Sequence, residues 1–147
     1  MAGIVVGVDG SPHSQVVLDW ALNEAALRHV PLKVLAVWPI AATGWGFSGV
    51  PSTADEADRQ RTERATQELV DKAVSKRGDE PGRTVTVVAV AGLASDELVK
   101  ASNDAELLVV GSRGAGGFAH LVLGSVSSQV THYAHCPVVV VPNERAR

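Results

Sequence analysis

Five short apolar runs divide the chain, at residues 4–8, 32–38, 85–90, 107–110 and 138–141. Each is dominated by Val, Ile or Leu and lacks the alternation of a half-exposed strand. Such runs predict strands covered on both faces, as in a parallel sheet beneath helices. Segments of helical period separate them. Over 14–29, Leu18, Ala21, Leu22 and Ala25 recur at the spacing of one helix face. Over 54–77 a strongly charged stretch carries Ala65, Leu69, Ala73 and Val74 as its apolar stripe. A shorter helix is predicted over 96–102, with Leu98 and Val99 inward. A last one starts near Ser125 and turns Val126, Val130 and Ala134 inward. Strand–helix alternation of this kind builds right-handed βαβ units. The expected fold class is therefore α/β, an open five-stranded parallel sheet with helices on both faces (Rossmann-like). No repeat or linker interrupts the pattern, so a single domain over 1–147 is expected. The one long loop, 39–53, holds Trp45 and Phe47 among glycines. These aromatics read either as a lid or partner surface, or as packing across the sheet edge.

Composition excludes classes without naming a function. At 147 residues, 46% hydrophobic and 20% charged, the chain can bury a core without a metal or disulfide staple. A net charge of -3 gives no electrostatic reason to bind nucleic acid. The opening apolar run breaks at Asp9, far short of the roughly 20 residues that span a bilayer. No membrane or targeting segment is expected, and the default location is cytoplasmic. The single cysteine, Cys136, fits a reducing compartment and, ahead of Pro137 at a strand start, reads as a buried structural thiol. His132 and His135 stand three apart with no further ligand at metal spacing, which leaves a solvent-facing or capping role. The mixed charges of 55–68 have the pattern of a solvated helix face.

Glycine changes the picture. Of 14 glycines, Gly111, Gly114, Gly116, Gly117 and Gly124 fall in one segment between the fourth run and the last helix. In open α/β sheets, ligands sit beyond the carboxyl ends of the strands, where the strand order reverses. Two strand exits are unusual here: Gly7-Val8-Asp9-Gly10-Ser11-Pro12 after the first run, and Gly111-Ser112-Arg113-Gly114-Ala115-Gly116-Gly117 after the fourth. Glycines let backbone N–H groups surround an anion with no Cβ in the way. Gly124-Ser125 then opens a helix whose unpaired N–H groups and dipole favour phosphate. A flexible turn and an ordinary capped helix would account for a lone glycine cluster, but two anion-binding elements at one strand exit favour a site. Ser125 has two readings, as an N-cap or as a hydroxyl donor to phosphate. Competing motifs fit poorly. A Walker A sequence is absent, and the loose G-x-G-x-x-A at Gly114 lacks the acidic residue of a dinucleotide site.

The spacing Gly111-x2-Gly114-x9-Gly124-Ser125 matches the G-x2-G-x9-G-[ST] signature of the ATP-binding branch of the universal stress proteins, and the chain resembles that family over nearly its whole length. Val8-Asp9-Gly10-Ser11 is similar to the family's amino-terminal segment, and Val109-Val110-Gly111-Ser112-Arg113-Gly114 to the start of its loop. Leu123-Gly124-Ser125-Val126-Ser127 and Cys136-Pro137-Val138-Val139-Val140-Val141 resemble its closing helix and last strand. The resemblance implies a strand order of 3-2-1-4-5. It also implies that Asp9 contacts the ribose and phosphate side of ATP and that Val37 contacts the adenine. Gly111, Ser112, Arg113, Gly114, Gly124, Ser125 and Val126 would surround ribose and triphosphate, with Mg2+ as companion. Read as residues, Asp9 before Gly-Ser-Pro equally caps the next turn, and Val37 fits the core. Arg113 is either a phosphate partner or a surface arginine.

Under that order, 138–141 is an edge strand, and an open apolar edge is an aggregation hazard. A homodimer paired through Val138, Val139, Val140 and Val141 is therefore expected, with room for an unidentified protein partner. The function implied is ATP binding in stress response or signalling, through nucleotide-dependent conformational or partner-binding changes. Two alternatives stay open. One is a slow Mg2+-dependent nucleotide hydrolase or phosphotransferase, against which stand the lack of a positioned lysine, second carboxylate and base. The other is a nucleotide-free dimeric scaffold or a cyclic-AMP binder.

Overall fold

The computed structural model describes residues 2–39, 53–78, 84–112 and 124–142. In chain order its elements are β1 (Gly3–Val8), α1 (Pro12–Arg28), β2 (Leu32–Pro39), α2 (Thr53–Arg77), β3 (Val85–Gly92), α3 (Ala94–Ser102), β4 (Ala105–Gly111), α4 (Ser125–Tyr133) and β5 (Val138–Val141). The strands form one parallel sheet in the order β3-β2-β1-β4-β5. From β1 the chain winds outward to β3, then crosses back to β4 on the other side. The strand order therefore reverses between β1 and β4.

Side-chain alternation explains why both sheet faces are covered. Ile4, Val6 and Val8 of β1, Leu32 and Val34 of β2, and Leu107 and Val109 of β4 pack beneath Leu18 and Leu22 of α1 and Val70 of α2. Val5, Leu35, Leu108 and Val110 point the other way, against Leu98 of α3 and Val130 of α4. A Cβ at Gly7 would stand 2.9 Å from Leu98 Cδ2, so the glycine lets α3 settle directly on β1.

Three expectations are corrected. The 85–90 run is not covered throughout: β3 is an edge strand, Thr86 is exposed, and Ala89 is its one buried residue. In α2, Ala65 is exposed, while Thr66, Val70 and Ala73 are buried. The inward face includes a polar residue because the Thr66 hydroxyl donates to its own helix, to the Thr62 carbonyl at 2.7 Å. Helix α1 begins at Pro12, two residues before the hydrophobic pattern does. Proline at the first helical position surrenders an N–H that has no helical partner anyway.

The charges of α2 behave as a solvated face, with Arg59 paired to Glu56 and Glu63, and Arg61 to Asp58. Trp45 and Phe47 lie outside the described residues. Among the described residues, no helix is long and apolar enough to cross a membrane.

Candidate functional site

At the exit of β1 the chain turns through Asp9 and Gly10, the latter at φ 82, a conformation that favours glycine. Asp9 Oδ1 accepts the Ser11 N–H and the Ser14 hydroxyl, each at 2.9 Å, and Ser14 Oγ accepts the Asp9 N–H at 3.0 Å. Of the two readings of Asp9, the turn cap is present in the structure. Any ligand would meet a carboxylate already aimed by the turn. Ser14 is buried and was not singled out from the sequence. The available signal was a serine five residues after an Asp-Gly turn, at the start of a helix.

At the exit of β4, Gly111 still belongs to the ladder, opposite Val141. A Cβ there would lie 2.9 Å from His13 Cδ2 and 3.1 Å from Val17 Cγ2. The close approach of α1 thus already requires the first glycine of the signature, whatever its backbone does for a ligand. Ser112 follows, buried, with its peptide held on both sides. Its N–H donates to the Val141 carbonyl at 2.9 Å, and its own carbonyl accepts the Gly124 N–H at 2.5 Å. The Ser127 hydroxyl reaches the carbonyls of both Ser112 and Gly124 at 3.1 Å. The two flanks of segment 113–123 are therefore joined at the Ser112 carbonyl, by the Gly124 N–H and the Ser127 hydroxyl. Arg113 and Gly114, together with Gly116 and Gly117, lie outside the described residues.

Helix α4 departs from this junction. Its N-cap is Gly124, so the N-cap reading of Ser125 is corrected: Ser125 is the first helical residue, exposed, and its hydroxyl does not cap the helix. Among the described residues no side chain caps α4. The N–H groups of Ser125, Val126 and Ser127 consequently have no partner within the helix, and its dipole puts partial positive charge there. Val126 is half-buried and packs toward the core on the α3–α4 side, as does Val37 near the end of β2. Strands β1 and β4 are parallel neighbours, paired as far as Val6↔Val109, so both leave the sheet at the same end. The Asp9 turn and the Ser112–Gly124 junction thus share the end of the sheet where the strand order reverses.

Away from this junction, His132 and His135 are exposed, with the Tyr133 ring edge-on to His132. Among the described residues, no group of three or more His, Cys, Asp or Glu could hold a metal ion. Cys136 was expected to be buried and is half-buried instead, because the short strand it precedes lies at the sheet edge. Its thiol lies 3.4 Å from the Pro137 carbonyl, and burial pushes its pKa up.

Residues 2–142 match the model of the universal stress protein family. A universal stress protein of Mycobacterium tuberculosis (strain ATCC 25618 / H37Rv) is 40% identical over 146 residues, covering 97% of this chain and 48% of that protein. One of Mycolicibacterium smegmatis is 32% identical over 139 residues, covering 95% and 47%. The chain thus spans about half the length of these curated relatives. Among solved structures, the universal stress protein UspA from Lactobacillus plantarum superposes with a TM-score of 0.76 at 19% identity, covering 95% of this chain and 97% of that one. A universal stress protein in complex with cAMP superposes with a TM-score of 0.66 at 25% identity, covering 95% of each.

Proposed function

The chain belongs to the universal stress protein family, and from that footing we propose that it binds an adenine nucleotide, ATP in the first instance, at the β1–β4 switch point. The observation that carries this reading is the juxtaposition of the Asp9 turn with an α4 N-terminus that no described side chain caps. Backbone N–H groups aimed from a helix start at a glycine-rich loop suit a phosphate chain. In this reading Asp9 orients the ribose and Val37 lies against the adenine. Gly111, Ser112, Arg113, Gly114, Gly124, Ser125 and Val126 surround ribose and phosphates, chiefly through the backbone. Mg2+ takes oxygen ligands and commonly enters on the phosphates themselves. The Asp9 carboxylate and the Ser125 hydroxyl are the protein oxygens here that suit it. Bound to a triphosphate, the ion would neutralise phosphate charge.

The activity proposed is binding that biases a conformation or a partner surface in stress response or signalling. Such a bias requires the nucleotide to favour one state over another. The relative solved with cAMP supports a second ligand reading, a cyclic nucleotide in the same cleft. Calorimetric titration with ATP, AMP and cyclic AMP separates the readings. Binding of ATP, weakened about tenfold or more by Gly114→Ala or Gly124→Ala, supports the site, a tenfold change being about 1.4 kcal/mol. No heat with any of the three overturns nucleotide binding, and tighter binding of cyclic AMP transfers the site to that ligand.

A second copy paired along β5 belongs to the same proposal. Pro137 and Val141 give their carbonyls to β4, so by strand alternation Val138 and Val140 turn their N–H and C=O groups to the open edge.

A further inference from the structure

We propose that His13 is a positioning residue for the nucleotide site: from the first turn of α1 it fixes the Val141 carbonyl, and through it the Ser112 peptide from which the glycine-rich loop departs. The inference rests on the nucleotide reading above and assigns that site a support which the glycine signature does not contain.

His13 Nε2 lies 3.1 Å from the Val141 carbonyl oxygen, across 128 residues of sequence. A carbonyl only accepts, so Nε2 carries the hydrogen in this contact. The same oxygen accepts the Ser112 N–H at 2.9 Å. A carbonyl oxygen has two lone pairs, and here one is met from α1 and the other from the loop flank. The imidazole reaches that position because residue 111 has no side chain: a Cβ there would stand 2.9 Å from His13 Cδ2 and 3.3 Å from Nε2.

The anchor matters because β5 is weakly held. It has four residues and, among the described residues, pairs with β4 alone. Its last carbonyl would otherwise be positioned by β4 alone. From Val141 the constraint runs to the Ser112 N–H, then from the Ser112 carbonyl to the Gly124 N–H and the Ser127 hydroxyl at the start of α4. A shift at Val141 therefore displaces the N–H groups proposed to meet phosphate. His13 acts on the ligand through this chain, without supplying a ligand contact of its own.

The test compares His13→Leu and His13→Ala, which remove the donor, with His13→Gln, which keeps a side-chain N–H of similar reach. Calorimetry with ATP and hydrogen exchange at the Ser112 and Gly124 amides are measured on each. The expected result is a loss of about fivefold in ATP affinity and faster exchange at both amides in His13→Leu and His13→Ala, the size set by one neutral hydrogen bond. His13→Gln should stay within about twofold of the parent on both readouts. If His13→Gln falls as far as the donor-less variants, His13 acts by packing and the proposal is overturned. Unchanged affinity in a folded donor-less variant overturns it equally. A parent protein that binds no nucleotide overturns the binding reading instead, while amide exchange still decides whether His13 holds the Val141–Ser112 contact.

Discussion

Asp9 and Ser14 hold each other reciprocally across the start of α1: the Ser14 hydroxyl donates to Asp9 Oδ1 at 2.9 Å, and its oxygen accepts the Asp9 N–H at 3.0 Å. Ser14 is buried, so its hydroxyl could not exchange these partners for water without cost. The pair fixes where the first strand delivers its carboxylate. It thereby places a stability element at a residue for which turn cap and proposed ligand contact are rival readings.

Ser14→Ala should therefore cost about 1 kcal/mol, because it deletes a buried hydroxyl that donates to Asp9 Oδ1 and accepts the Asp9 N–H. Urea unfolding followed by circular dichroism measures it. A change below about 0.5 kcal/mol, the scale of ordinary surface substitutions, would show that the pair contributes nothing to stability.

Ser127→Ala removes the hydroxyl that spans the Ser112 and Gly124 carbonyls. Both carbonyls keep an N–H partner, from Gly124 and Ser128 respectively. The expected loss is accordingly about 1 kcal/mol of stability. Nucleotide affinity should fall alongside it, since the loop flanks would be held by one bond fewer. Thermal melting and calorimetry on the same preparation test both halves, and an unchanged affinity would detach Ser127 from the site.

Apolar runs made the parallel sheet legible in advance, because the cores of β1, β2 and β4 are covered on both faces and runs rich in Val, Ile and Leu record that directly, while the strand order came from the family resemblance. The pattern misled at α2, where Ala65 faces solvent and Thr66 faces the core. A threonine that satisfies its own hydroxyl within the helix is invisible to a hydrophobicity count. It also overstated β3, since a run of valines looks the same in an edge strand. At the candidate site, glycine spacing pointed to segment 111–124, of which 113–123 lie outside the described residues, and said nothing of the contacts that hold its flanks. His13, Ser14 and Ser127 act through contacts between residues brought together by folding or through a single hydroxyl, and neither leaves a periodic trace. Gly111 illustrates the limit most clearly: its place in the signature is accounted for by the nearness of His13 and Val17.

Burial raises the Cys136 pKa above its ordinary value, so the folded protein keeps the thiol protonated where the unfolded chain begins to lose it. The stabilising difference is fully present below the thiol range of the unfolded chain and is lost as pH rises through the raised value. Native protein should react with a disulfide reagent near pH 8 more slowly than the same protein in urea, because the thiolate is the nucleophile. Stability should decline on going alkaline, and Cys136→Ser should flatten that decline. Equal reaction rates in the folded and unfolded chain would contradict the shift.

The edge of β5 permits a sharper test of pairing between two copies than deletion of the strand. Val140 directs its N–H to the open side, whereas Val139 uses its N–H within the β4 ladder. Proline at an edge position whose N–H faces outward is tolerated, while within the ladder it removes a bond. Val140→Pro should therefore leave the thermal midpoint close to that of the parent while converting a dimer to a monomer in sedimentation velocity. Val139→Pro should lower stability by about 3 kcal/mol or more, by analogy with proline inside a regular element. A parent that sediments as a monomer at micromolar concentration would remove the paired edge from the proposal. A dimer that survives Val140→Pro would place the interface on another face of the fold.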